Sequence, residues 1–150
     1  MVKVNRKEDE PMKEGYVDNC FASLYYKEMG QGMPLIMLHG NGESHEIFAR
    51  LSELMSRYYR VILMDSRGHG RSVLKAAALK TAALKITAGK KGKQQNSSDK
   101  RHTVAADMAE DVVRLLDHLK IEKAVILGFS DGANTALEFV ADHPDRTFKI

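Results

Sequence analysis

Cysteine is nearly absent. Cys20 stands alone among 150 residues, so the chain can close no internal disulfide and build no paired-cysteine metal site. Long apolar runs are also missing: the longest are four residues, such as Val61–Met64 and Ala124–Leu127. A helical membrane span needs ~20, which excludes one here. The charged N-terminus (Lys3, Arg6, Lys7, Glu8, Asp9, Glu10) has none of the apolar character of a secretory signal. These absences give a cytoplasmic expectation, with no membrane partner. A basic body suited to nucleic acid is missing as well. The net charge of +3 is unevenly spread: residues 73–101 carry eight Lys/Arg against one Asp, so the others are net acidic. Cofactor motifs fail in turn. Gly40-x-Gly42 and Gly68-x-Gly70 lack the third glycine of a dinucleotide loop, and His45-Glu46 is followed by Ala49 where a zinc helix needs its second histidine. No cofactor and no metal site are expected.

With 43% hydrophobic residues the chain is long enough for one domain that buries roughly 70% of its unfolded surface. Residues 1–14 read as a flexible N-terminus, and Tyr16–Met29 as two short extended segments. Leu35–Leu38, Val61–Met64 and Ala124–Leu127 are compact apolar runs between turn residues, as strands buried on both faces would show. Between them, Phe48, Leu51, Met55 and Tyr58 recur at helical spacing. So do Met108, Val112, Leu115 and Leu119, after Thr103 as N-cap. An Ala-rich helix, 133–143, is stopped by Pro144, and Phe148 opens another strand. This alternation implies an α/β fold, a mostly parallel sheet with flanking helices. Residues 15–150 form its core, interrupted at 73–101 by a Lys/Ala-rich, low-complexity insertion. There Leu74, Leu79 and Leu84 recur every five residues and spiral around a helix without making a stripe.

Gly128-Phe129-Ser130-Asp131-Gly132 matches G-x-S-x-G, with a buried strand before it and a small-residue helix after it. The glycines allow a sharp strand-to-helix turn that pushes the serine hydroxyl out above the sheet. The turn also lies at a helix N-terminus, which favours negative charge on an attacked carbonyl oxygen. His39-Gly40-Asn41-Gly42 leaves the first buried strand as a small-residue loop whose backbone N–H groups can approach a ligand.

Together with Asp65-Ser66-Arg67-Gly68-His69-Gly70-Arg71-Ser72, these ordered motifs resemble the N-terminal half of an α/β-hydrolase, over residues 15–72 and 102–150. The resemblance implies Ser130 as nucleophile, with Gly128 and Gly132 as the elbow glycines. It implies an oxyanion hole from the backbone N–H groups of Asn41 and Asp131, supported by His39 and Gly40. Asp65–Ser72 corresponds to a structural loop. The family's acid and histidine follow the nucleophile in chain order and have no counterpart here, so both stay unassigned; His39, His45 and His69 are the histidines nearest the strand ends. The implied function is a serine hydrolase acting on a small ester-like substrate, inactive as these 150 residues. The alternative is a non-catalytic fragment that binds a ligand or partner. Self-association through an exposed sheet edge, or else marginal stability, is expected.

Overall fold

The computed structural model describes residues 12–76, 80 and 104–150. Among the described residues seven strands form one sheet: β1 (Lys13–Asp18), β2 (Ala22–Met29), β3 (Met33–Leu38), β4 (Tyr59–Met64), β5 (Val73–Leu74), β6 (Ala124–Gly128) and β7 (Thr147–Lys149). Their order is β1-β2-β4-β3-β6-β7, with β5 on the side of β2. From β4 to β7 every pairing is parallel, while β1, β2 and β5 are joined antiparallel. Parallel neighbours require crossovers. A 3-10 turn (His45–Phe48) and helix α1 (Ala49–Met55) link β3 to β4; α2 (Val104–His118) precedes β6, and α3 (Asp131–Asp142) precedes β7.

The apolar runs become central strands because both faces of the sheet are covered. On β3, Ile36 and Leu38 join Ile62, Met64 and Ile126 beneath Val112, Leu115 and Leu116 of α2 and Ala136 and Phe139 of α3. The alternate residues Leu35 and Met37 join Val61 and Leu63 beneath Phe48. Full burial of a side chain of this size is worth about 1.5–3 kcal/mol, so the central strands dominate the stability of the fold.

Three sequence expectations shift. Lys13 and Glu14 belong to β1 and pair with Glu28 and Lys27; residues 1–11 lie outside the described residues. Val73 and Leu74 pair with Ser23 and Ala22, and Lys75 N donates to Phe21 O at 2.7 Å, so the start of the expected insertion is joined to the sheet. The Thr103 cap and the spiral of leucines beyond Leu74 lie outside the described residues. The face expected of the 46–58 helix holds in part: Phe48 is buried and Met55 packs against the same cluster, but Ser52 is buried as well, whereas Leu51 and Tyr58 are 38% and 70% exposed. Its first turn is a 3-10 turn, which advances about 120° per residue and rotates the helix relative to a uniform α-pattern.

Candidate active site

Ser130 sits between the end of β6 and the start of α3, exposed, at φ 53° and ψ −118°. Residues with a side chain rarely hold this conformation. The surrounding backbone enforces it. A Cβ on Gly132 would run into the Leu38 carbonyl of β3, and one on Gly128 into the Gly132 carbonyl. Phe129 N donates to Leu38 O at 2.9 Å, tying the turn to β3. Gly132 N then donates to Phe129 O and Ala133 N to Ser130 O, both at 2.9 Å, which starts the helix at once. Asp131 is the first helical residue, so its N–H has no intrahelical partner.

The β3 exit loop meets this turn. A Cβ on buried Gly40 would lie 3.0 Å from Ser130 Cβ and 3.4 Å from Phe129 Cδ1; glycine lets the two loops approach this closely without either giving way. Glu43, which motif reading passes over, borders the same space. Its Oε2 accepts from Gly40 N at 3.0 Å, and its own N–H donates to Gly40 O at 3.3 Å. An acidic residue three positions after the glycine was the available signal. Asn41 is exposed, with Oδ1 3.1 Å from His69 Nε2.

Behind the loops stands Asp65, fully buried. Its Oδ1 accepts from His45 N at 2.7 Å and lies 2.9 Å from His45 Nδ1; its Oδ2 accepts from Arg71 N at 2.8 Å. The Asp65 carbonyl accepts from Ser72 Oγ, which in turn accepts from Tyr25 N. His39 is held as firmly. Ser66 N donates to its Nε2 at 2.9 Å, which leaves the ring proton on Nδ1, 2.7 Å from Gly40 O. His69 is placed between Arg67 O and Asn41 Oδ1 at 3.1 Å each. All three histidines near the strand ends are therefore engaged by the loops themselves.

Two charged clusters fasten this frame to the rest of the sheet. Asp111 accepts from Arg67 Nε at 2.7 Å and Asn19 Nδ2 at 2.6 Å. Burial outweighs these partners and holds the Asp111 carboxyl above the usual carboxylate range. Burial also works against the Arg67 charge, but Asp111 and Asp107 prevail and strengthen its hold on the proton. On the far side, Arg71 lies over the Tyr25 ring at 4.1 Å and donates to the Tyr25 hydroxyl at 2.8 Å. Burial, with the Glu14 carboxylate bonded to the hydroxyl, pushes the Tyr25 phenol up to about 12. Among the described residues no group of three His, Cys, Asp or Glu is placed to hold a metal ion, and no helix is long and apolar enough to cross a membrane.

Known proteins resemble this chain in sequence and fold. A family model described as the alpha/beta hydrolase fold matches residues 33–147. The proposed carbamate hydrolase RutD of Caulobacter sp. (strain K31) is 33% identical over 140 residues, covering 93% of this chain and 43% of that protein. Est816, described as an N-acyl homoserine lactone degrading enzyme, superposes with a TM-score of 0.66 at 28% identity, over 89% of this chain and 42% of its own. A proposed epoxide hydrolase from Pseudomonas aeruginosa reaches 0.69 at 23% identity, over 91% and 39%. The chain thus spans about two fifths of the length of these relatives. Since the matched residues run from β3 through the Ser130 turn and α3 to the start of β7, the chain belongs to the α/β-hydrolase fold family.

Proposed function

We propose that Ser130 is the nucleophile of a serine hydrolase. Its Oγ attacks the carbonyl carbon of a carboxylic ester or related acyl compound, the bond to the leaving oxygen breaks, and the alcohol departs with the proton that the serine gives up. The backbone N–H groups of Asn41 and Asp131 hold the oxygen that becomes negative. One observation carries this reading: an exposed serine held at φ 53° by glycines that no other residue could replace. Such strain persists only where the surrounding structure imposes it, and it gathers at sites of chemistry. The names of RutD and Est816 point to carbamate and lactone substrates; both have a carbonyl carbon bonded to a heteroatom, which supports the acyl class. The exposed free thiol of Cys20 suits a reducing cytoplasm.

A second observation shapes what these 150 residues do alone. His39 and His69 have both ring nitrogens committed to loop partners, and His45 Nδ1 is held by Asp65. A serine without a base stays protonated near neutral pH and attacks poorly. The chain alone therefore shows only background hydrolysis of an activated acetate ester. Adding imidazole as an external base produces Ser130-dependent hydrolysis that Ser130→Ala lacks. Equal imidazole-driven rates in the wild type and Ser130→Ala would overturn the nucleophile assignment and leave the non-catalytic, ligand-binding reading in its place.

A further inference from the structure

The loop that leaves β3 turns on a glycine. Gly40 has no Cβ to restrict its φ and ψ, and the peptide that follows it carries the Asn41 N–H. A donor on so pliable a hinge needs a brace from outside. Glu43 meets both peptides that flank the hinge. Its Oε2 accepts from Gly40 N at 3.0 Å, in the peptide before, and its own N–H donates to Gly40 O at 3.3 Å, in the peptide after. The His39 ring reaches the same carbonyl, with Nδ1 2.7 Å from Gly40 O.

A planar trans peptide points its C=O and its N–H in opposite directions, and no peptide bond among the described residues is cis. Holding Gly40 O toward Glu43 and His39 therefore turns the Asn41 N–H away from them. The brace also stands beside the nucleophile. Glu43 Oε2 and Ser130 Cβ lie 2.8 and 3.0 Å from one point, the place a Gly40 Cβ would take, so they are within about 6 Å of each other. A negative group this close opposes an oxyanion, so the carboxylate serves the site through its hydrogen bond and not through its charge. We propose that Glu43 is a positioning residue: it braces the Gly40 hinge and so fixes the direction of the Asn41 N–H before a substrate arrives. This rests on the reading of Ser130 as nucleophile and the Asn41 N–H as oxyanion donor.

Two variants separate the bond from the charge. Glu43→Gln keeps an oxygen that can accept from Gly40 N, whereas Glu43→Ala keeps only the backbone N–H. Residual dipolar couplings of the 15N-labelled chain read the direction of the Asn41 N–H without any turnover. The Asn41 coupling should keep its wild-type value in Glu43→Gln and change in Glu43→Ala, while the couplings of β3, β4 and β6 stay the same in both. In the imidazole-driven hydrolysis of an activated acetate ester, Glu43→Ala should lose about tenfold in maximal rate with KM unchanged, less than the ~100-fold or more that loss of a whole oxyanion donor costs. Glu43→Gln should retain the wild-type rate. An Asn41 coupling indifferent to Glu43→Ala would overturn the proposal, as would a Glu43→Gln that behaves like Glu43→Ala. A changed coupling with an unchanged Ser130-dependent rate would overturn the role of the brace in the reaction. A wild type without any Ser130-dependent rate would strike the nucleophile reading, and the couplings would still decide whether Glu43 sets the direction of the Asn41 N–H.

Discussion

The turn that carries Ser130 and the loop around Asp65 flank β3 at the same end of the sheet, yet they treat their polar groups in opposite ways. Ser130 is exposed and strained, and no side-chain cap bond holds its hydroxyl. Asp65 is fully buried, relaxed and bonded through both carboxylate oxygens. Geometry in the first case comes from exclusion, because glycines are the only residues that fit. In the second it comes from attraction, as one carboxylate gathers N–H groups from two loops. The Ser130 turn thus joins a hydroxyl that makes no cap bond to a backbone fixed by its glycines, whereas the Asp65 loop leaves no polar group of its carboxylate free.

Substitutions in each loop can break this contrast. The largest effect is expected at Gly132→Val, whose side chain would overlap the Leu38 carbonyl. The loss should exceed about 4 kcal/mol, read as the absence of a cooperative unfolding transition. Asp65→Ala leaves three N–H donors, two of them backbone, without their acceptor. It should cost about 3–5 kcal/mol in denaturant unfolding. Ser130→Gly should go the other way. Removing the side chain at φ 53° relieves strain of about 1–3 kcal/mol, offset by the added freedom of the unfolded chain. A net gain of about 1 kcal/mol is expected, whereas Ser130→Ala, still strained, stays near wild type. A gain in both variants would mean that the hydroxyl and not the backbone is the source of the strain.

The smallest effect is one of pH. Tyr25 is neutral when protonated, and its folded value of about 12 lies above the ordinary phenol value of 10. Below pH 10 both states hold the proton and the group contributes no slope. Between pH 10 and 12 the unfolded chain releases its proton first, so stability falls as pH rises. Unfolding measured from pH 9 to 12 should decline more steeply for wild type than for Tyr25→Phe. Parallel curves would remove the Tyr25 hydroxyl from this account.

The strands and the Ser130 turn were legible because their signals are local. Leu35–Leu38 is apolar at every position since β3 is covered on both faces, and the two elbow glycines announce a turn that tolerates no side chain. The frame behind the site was not legible to the same degree. Asn19 and Asp111 meet across 92 positions of sequence, and nothing near either residue signals the other. Glu43 escaped notice because its partner is a backbone N–H, which every residue but proline has. Phe48 and Met55 were read correctly on the helix, but Leu51 and Tyr58 were not, for a subtler reason. Apolar spacing marks a stripe but not which way it points, and the 3-10 start turned Ser52 inward and Leu51 outward.

The buried acceptors of Asp65 and His39 also set a clock. Amide hydrogens in loops ordinarily exchange with solvent within seconds, as local fluctuations expose them. The amides of His45, Ser66 and Arg71 lie outside the strands, but each donates to a side chain that is itself almost wholly buried. To exchange, they must wait for Asp65 or His39 to leave the core, an opening that takes β3 and β4 with it. These three loop positions should therefore exchange as slowly as the central strands. In the terms of cooperative unfolding units, the frame behind the Ser130 turn is part of the sheet.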